Sequence, residues 1–248
     1  MTRLRTTEPL VVYGANAVAE LLRSDTPVTR LHVGPGPRAD ELHAAARARH
    51  VPVTSSDREA LVRLAGTPHH QGAVAIAAPY RYRALADVLA AQPASLLVLD
   101  GIQDPRNLGA ILRTARAAGV GGVVLPKDRC VGVTPVVVSA SAGLLFGLAI
   151  AQVPNLVRAI EALKGAGHWL VAMVQGAGQD VLRFAAPPRP AIVVGGEGSG
   201  IRPLVRRHCD FEVGIPMAPG VESLNVAVAT GIVLYEVLWR GAAAGSPR

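Results

Sequence analysis

Three sets of polar residues interrupt otherwise apolar stretches of this 248-residue chain. The first is Asn107 with Arg106, Arg113 and Arg116, inside Leu99-Asp-Gly-Ile-Gln-Asp-Pro-Arg-Asn-Leu-Gly-Ala-Ile-Leu-Arg-Thr-Ala-Arg116. A guanidinium fork matches phosphate oxygens, so arginines this close together suit an anionic ligand, or else a solvated cationic face. The second is Glu197 within Gly195-Gly-Glu-Gly-Ser-Gly200. Glycines directly after a strand read as a ligand loop or as a tight strand-to-helix turn. The spacing is neither GxGxxG nor GxxxxGK[ST], which argues against a dinucleotide or P-loop site. A carboxylate there suits a cationic ligand group or an arginine to be held. The third is Ser223 and Asn225, after the Pro- and Gly-rich run 214–220. Ser223 reads as the N-cap of a helix to 239. Asn225 is a mediocre helix former whose amide needs partners wherever it is buried.

The elements that must position these residues follow from hydrophobic pattern. From Leu96 the chain alternates strand and helix: strands at 96–99, 122–125, 148–153, 169–174, 191–195 and 211–217, and helices at 107–118, 134–142, 154–164 and 223–239. Strands such as Leu96-Leu-Val-Leu and Ile192-Val-Val are apolar on both faces, as a parallel sheet covered by helices requires. Leu108, Ile111, Leu112 and Ala115 follow i, i+3, i+4, i+7 and form the buried face of the first helix. Its polar start then lies at the carboxyl end of a strand, where open α/β sheets bind ligands.

Residues 1–78 form a separate small α/β pattern. Helices are expected over 15–22, 39–49 and 58–64, the last capped by Asp57, with strands at 29–33, 51–53 and 73–77. His69 and His70 sit in a turn-rich loop with no partner at metal-ligand spacing. Residues 79–95 read as a linker that becomes helical near Leu85–Ala90. Its alternating Tyr80, Arg81, Tyr82 and Arg83 suit either an exposed hinge or an RNA contact.

The net charge of +7 favours a polyanionic partner. Aromatics are only 4% of the residues, which disfavours an aromatic base-stacking platform. No apolar run reaches the length of a membrane span, and Met1–Thr7 contains no signal core. Cys130 and Cys209 form neither a CxxC pair nor a disulfide framework. A protein of the cytoplasm without metal or membrane attachment is expected.

Taken together, Asn107-Leu-Gly with Arg113, Gly195-Gly-Glu-Gly-Ser-Gly-Ile, and Ile215-Pro-Met with Ser223-Leu-Asn-Val-Ala-Val-Ala-Thr-Gly resemble the three motifs of the SpoU (TrmH-like) RNA 2′-O-ribose methyltransferases of the SPOUT superfamily. The likeness spans about residues 96–240. The first part, with Tyr13-Gly-Ala-Asn-Ala-Val and His70-Gln-Gly, resembles the small substrate-binding domain of the ribosomal-RNA guanosine branch, although that branch commonly has His at the position of Asn16. The resemblance implies an α/β fold with a mostly parallel sheet and a C-terminal deep trefoil knot, a substrate-binding domain over 1–78, a linker over 79–95 and a methyltransferase domain over 96–248. It also implies a homodimer acting on RNA with S-adenosylmethionine. Carried onto this chain, the cofactor would contact Gly195, Gly196, Ile215, Met217, Leu224 and Val174. Arg113, Asn107, Glu197, Ser223 and Asn225 would serve the reaction.

The implied reaction moves a methyl group from a sulfonium to a ribose 2′-hydroxyl, so no metal is required. A guanidinium stays protonated; Arg113 is therefore expected to bind a neighbouring phosphate and stabilise the developing alkoxide. Glu197 would position Arg113 or Asn107. The expected substrate is a guanosine of large-subunit ribosomal RNA. Transfer RNA, a self-protecting ribosomal methylation against an antibiotic, a base-methylating relative, a non-catalytic RNA-binding dimer and a plain nucleotide-binding protein are the alternatives.

Overall fold

The computed structural model describes residues 8–240. The expectation placed on Met1–Thr7 and the outer ends of both expected domains lie outside the described residues. The chain divides into two units. One runs to Arg81 and takes in Val133–Gly147; the other is Tyr82–Gly132 with the chain from Leu148 onward. Residues 133–147 thus belong with the first unit. Within the stretch expected to be a linker, Arg83 bridges Ala151 of a later strand, and the expected helix over Leu85–Ala90 follows.

In the first unit, β1 (Leu10–Tyr13), α1 (Ala15–Arg23), β2 (Val28–Val33), α2 (Ala39–Ala48), β3 (Val53–Ser55), α3 (Arg58–Ala65) and β4 (Ala73–Ala77) follow in order. The sheet order is β1-β4-β2-β3, with β4 antiparallel to both neighbours and β2 parallel to β3. Strand β3 starts later than the expected 51, because the Val51 amide still donates to Ala46 at the end of α2. Asp57 caps α3, its Oδ1 accepting from the Ala60 amide at 2.7 Å. Gly66 ends that helix at φ 67°, a left-handed conformation that glycine adopts without a Cβ penalty.

The second unit contains α4 (Leu85–Ala90), β5 (Leu96–Asp100), α5 (Pro105–Ala118) and β6 (Gly122–Pro126). The short α6 (Pro135–Ala140) belongs to the first unit, and the chain returns as β7 (Ile150–Val153), α7 (Leu156–Gly165), β8 (Trp169–Met173), β9 (Pro190–Gly195), α8 (Pro203–Arg206), β10 (Phe211–Val213) and α9 (Val226–Tyr235). The sheet order is β10-β8-β9-β5-β6-β7, and every pairing is parallel. Every residue of β5, β6 and β9 is buried, which explains their uninterrupted apolar sequences. From β5 the chain proceeds outward through β6 to β7, then crosses to the other side to lay down β8, β9 and β10. The carboxyl ends of β5 and β9 therefore flank the point where the winding reverses, and open α/β sheets bind ligands there.

Three expected boundaries are corrected. Helix α5 starts at Pro105, not Asn107, because Asp104 Oδ1 caps it by accepting from the Arg106 amide at 2.7 Å. Strand β10 ends at Val213 rather than 217. Beyond it the Gly214 backbone turns to pair with Gln179 and Val181, which leaves the ladder to β8. Helix α9 begins at Val226, and its cap is Asn225, not Ser223.

Candidate active site

Asp100, the last residue of β5, has a side chain only 1% exposed. A carboxylate that deep needs charge-assisted partners. Arg202 supplies both: its Nε donates to Oδ1 at 2.7 Å and its amide to Oδ2 at 2.9 Å. This clamps the loop after β9 to the end of β5. The same loop is drawn in by the Gly196 amide, which donates to the Asp100 carbonyl at 2.9 Å. No side chain fits in this contact. A Cβ on Gly196 would lie 2.2 Å from the Gly101 carbonyl oxygen, and one on Gly195 would lie 2.1 Å from the Gly200 carbonyl carbon. Gly195 and Gly196 are thus required by two backbones in close approach, while Gly198 and Gly200 serve the turn through left-handed φ values of 79° and 61°.

The clamp delivers Glu197 to the first turn of α5. Asn107 Nδ2 donates to Glu197 Oε1 at 2.6 Å. From the opposite side Asn225 Nδ2 donates to Asn107 Oδ1 at 3.0 Å and reaches Glu197 Oε1 at 3.4 Å. Asn225 Oδ1 meanwhile accepts from the Ala227 and Val228 amides, at 2.9 and 3.4 Å, and caps α9. Three segments far apart in sequence therefore meet in one hydrogen-bonded trio. It opens into a cleft of about 200 Å³ lined by Gly101, Gln103, Asp104, Asn107, Glu197 and Ser199.

The other expected site residues are placed differently. Arg113 is exposed, and its side chain pairs with none of the trio. It lies six residues after Asn107 on α5, about 120° around the helix axis. Of the two partners considered for Glu197, Asn107 is the one hydrogen-bonded to it. Ser223 is exposed in the loop before α9 and takes no part in the trio. Val174, Ile215 and Met217 are half-buried beyond the carboxyl ends of β8 and β10, and Leu224 is exposed. Gln175 Nε2 donates to the Glu222 carbonyl and ties the loop after β8 to the loop that carries Leu224. With Gly195 and Gly196, these residues line the carboxyl ends of three adjacent strands.

Sequence reasoning missed Asp100, Arg202 and the Asp104 cap. A lone acid closing an all-apolar strand is a signal in itself, since it must find a partner. His70 is buried; its Nδ1 accepts from the Gly72 amide at 3.1 Å, and burial lowers its pKa. Among the described residues no three His, Cys, Asp or Glu side chains group as a metal site. Burial pushes the Cys130 and Cys209 thiols up to about 12, so both are poor nucleophiles near neutral pH. No helix among the described residues is long and apolar enough to cross a membrane.

Residues 94–235 match the model of the SpoU rRNA methylase family, and residues 11–83 match that of the RNA 2′-O ribose methyltransferase substrate-binding domain. The chain belongs to the SpoU rRNA methylase family. The first match runs from just before β5 to the end of α9 and takes in the whole trio. A Bacillus subtilis relative, YacO, named for the TrmH family of tRNA/rRNA methyltransferases, is 38% identical over 91% of this chain and 94% of its own. A Staphylococcus haemolyticus relative with the same family name is 36% identical over 93% of this chain and 95% of its own. Among solved structures, the SpoU methyltransferase AviRb of Streptomyces viridochromogenes in complex with the cofactor AdoMet superposes with a TM-score of 0.80. It shares 26% identity and covers 96% of this chain and 92% of its own. The AdoMet-bound rRNA methyltransferase of Sinorhizobium meliloti gives 0.79 at 27% identity, over 93% and 87%. The SpoU chain is thus an RNA methyltransferase, with a parallel α/β unit and a separate substrate-binding domain before it.

Proposed function

We propose that this SpoU-family enzyme methylates the 2′-hydroxyl of one ribose in RNA with S-adenosylmethionine, and that the target is a guanosine of large-subunit ribosomal RNA. The observation that carries the reading is the Asn107–Glu197–Asn225 trio at the reversal point of a parallel sheet. The glycine backbones at 195–196 and the apolar Val174, Ile215, Met217 and Leu224 fit an adenine ring, which takes a slot with apolar walls and a few backbone hydrogen bonds. S-adenosylmethionine supplies an already positive methyl group, so this chain's residues need only hold the acceptor oxygen in line and ease the loss of its proton.

Asn107 and Asn225 orient the ribose, with Glu197 fixing the Asn107 amide. Ser223 steadies the loop before α9 and donates to the ribose. Arg113, protonated, binds the adjacent phosphate and stabilises the alkoxide as it forms. Its separation from the trio around α5 is what a site completed by a second protomer would need. Homodimerisation is further supported by Val228, Tyr235 and Trp239, exposed by 53%, 45% and 41% at seven- and four-residue spacing along and just beyond α9. A deep trefoil knot in the C-terminal segment and action in the cytoplasm complete the proposal.

The test is transfer of tritiated methyl onto total RNA that lacks ribose methylation, followed by mapping of alkali-resistant dinucleotides. One resistant guanosine site in large-subunit ribosomal RNA is expected. Label confined to transfer RNA overturns the substrate, and label on a base with every ribose still alkali-labile overturns the reaction. Full single-turnover activity in Arg113→Ala overturns the role given to that residue.

A further inference from the structure

We propose that a cleft in the first unit, between Asn16, Arg38 and Gln71, receives one unpaired nucleobase of the substrate RNA, read through hydrogen-bond acceptors on its edge. The inference rests on the RNA-methylating function above and adds a recognition site to it. The cleft measures about 370 Å³, within the range of sites that enclose a small ligand. Its walls come from the first turn of α1, the Gly34-Pro-Gly-Pro37 connection into α2, and the loop before β4.

Charge decides what such a cleft can hold. Arg38 is its only cationic lining residue, and that guanidinium is already engaged. Its Nε and Nη2 donate to the two carboxylate oxygens of Glu41 at 2.8 and 2.6 Å, and Nη1 donates to Asn16 Oδ1. Glu41 also lies 3.5 Å from Arg23, which pairs with Glu20 at 2.6 Å, so the two arginines and two carboxylates balance. A phosphate would meet no free positive charge, whereas a base needs none. The pairing also fixes the Asn16 amide: with Oδ1 accepting from Arg38, its Nδ2 hydrogens face a ligand that must accept. Gln71 adds a second amide with no protein partner among the described residues.

The cleft is built at conformational cost. Gln71 has φ 50° and Gly72 φ 78°, so the loop places a non-glycine residue in the left-handed region. Such strain concentrates at ligand-binding positions. Gly14, at φ 98°, starts α1 beneath Gln71; a Cβ there would lie 3.6 Å from Gln71 Oε1. The remaining wall is stiff and apolar: Pro35 and Pro37, with Val33 and Leu42 behind them. Sequence-specific proteins bind single-stranded RNA by splaying out a base and bonding its edge. A rigid apolar slot with two amides meets that need without an aromatic platform.

The test uses the full-length enzyme and the ribosomal RNA fragment around its mapped methylation site. Asn16 and Gln71 are exposed, so Asn16→Ala and Gln71→Ala are expected to keep the wild-type melting temperature and S-adenosylmethionine affinity. Each is expected to raise KM for RNA about tenfold with kcat unchanged, the effect of a lost base-edge contact. Fragments with a single abasic nucleotide at each unpaired position locate the occupant. One abasic site should weaken wild type about tenfold and the double variant no further. Variants with unchanged KM, or losses that stay additive at every abasic position, overturn the site while leaving the methyltransferase reading intact. Failure of the wild type to methylate any RNA would instead remove the function on which the site rests.

Discussion

Replacing Gly196 by alanine tests whether the approach of two backbones sets the geometry of the trio. The added Cβ would stand 2.2 Å from the Gly101 carbonyl oxygen and 2.9 Å from its carbon. Carbon–oxygen contacts settle at about 3.3 Å, so the loop must retreat by about 1 Å. Both obstacles are backbone, and no flexible side chain can yield. The retreat would stretch the Gly196 amide bond to Asp100 from 2.9 Å beyond hydrogen-bonding range and carry Glu197 off its 2.6 Å contact with Asn107. Overpacking of this kind costs about 1–3 kcal/mol, and each kcal/mol lowers Tm by about 2–4 °C in a chain of this size. A 1 Å misplacement of positioning groups lowers the rate by about 100-fold. Single-turnover methyl transfer reads the second effect and thermal unfolding the first. Gly178→Ala is the control, since nothing lies within 4 Å of its Cβ position and its φ is not left-handed. Turnover within threefold of wild type in Gly196→Ala, with Tm unchanged, would show that this backbone contact does not set the geometry of the trio.

Two further predictions separate stability from chemistry. Asn225→Ala loses the α9 cap, at about 1 kcal/mol, and the donor to Asn107. Asn225→Ser should recover most of the stability, measured by urea unfolding, yet turn over no faster than the alanine variant; recovery of both would assign Asn225 to capping alone. Acid should destabilise the protein through His168. This ring is buried and contacts Arg189 twice: Nδ1–H donates to the Arg189 carbonyl at 3.0 Å, and Nε2, unprotonated, accepts from Arg189 Nη2 at 3.3 Å. Burial lowers its pKa, against the pull of the Arg189 carbonyl. The unfolded chain therefore takes up a proton below about pH 6.5 that the native state refuses, and stability present above that value falls as the pH drops. Urea midpoints at pH 7.5 and 5.5 measure the fall, and His168→Gln should flatten it; an equal slope in the variant would acquit this residue.

Much of the fold was legible because its strands are apolar in long runs. Leu96–Leu99 and Ile192–Val194 have no polar face to hide, and only a sheet covered on both sides accommodates them. Boundaries were less legible where two signals compete. Ser223 and Asn225 are both good caps, and the choice between them fell to a contact with Asn107, 118 residues away. The start of α5 was available locally, since Asp104-Pro105 is a strong opening signal, but the polar Arg106-Asn107 pair obscured it. The motif residues were legible one by one. Their meeting was not, because it depends on strands β9 and β5 being neighbours, which brings Glu197 to Asn107 from 90 residues away. The inclusion of Val133–Gly147 in the first unit left no mark in periodicity, since a helix packs equally well in either unit.

The cap on α9 also imposes a polarity. Because Asn225 Oδ1 accepts from two backbone amides, that side chain cannot turn over, and only its nitrogen can face Asn107. Asn107 must then present its oxygen to Asn225 and its own nitrogen to Glu197. The two amides form a one-way relay from the positive end of a helix to a carboxylate. An aspartate at either asparagine would lose the donor that amide supplies, to Asn107 or to Glu197, and set a second negative charge against Glu197. The nearly isosteric exchange of an amide for an acid thus removes a donor at the point where a carboxylate needs one.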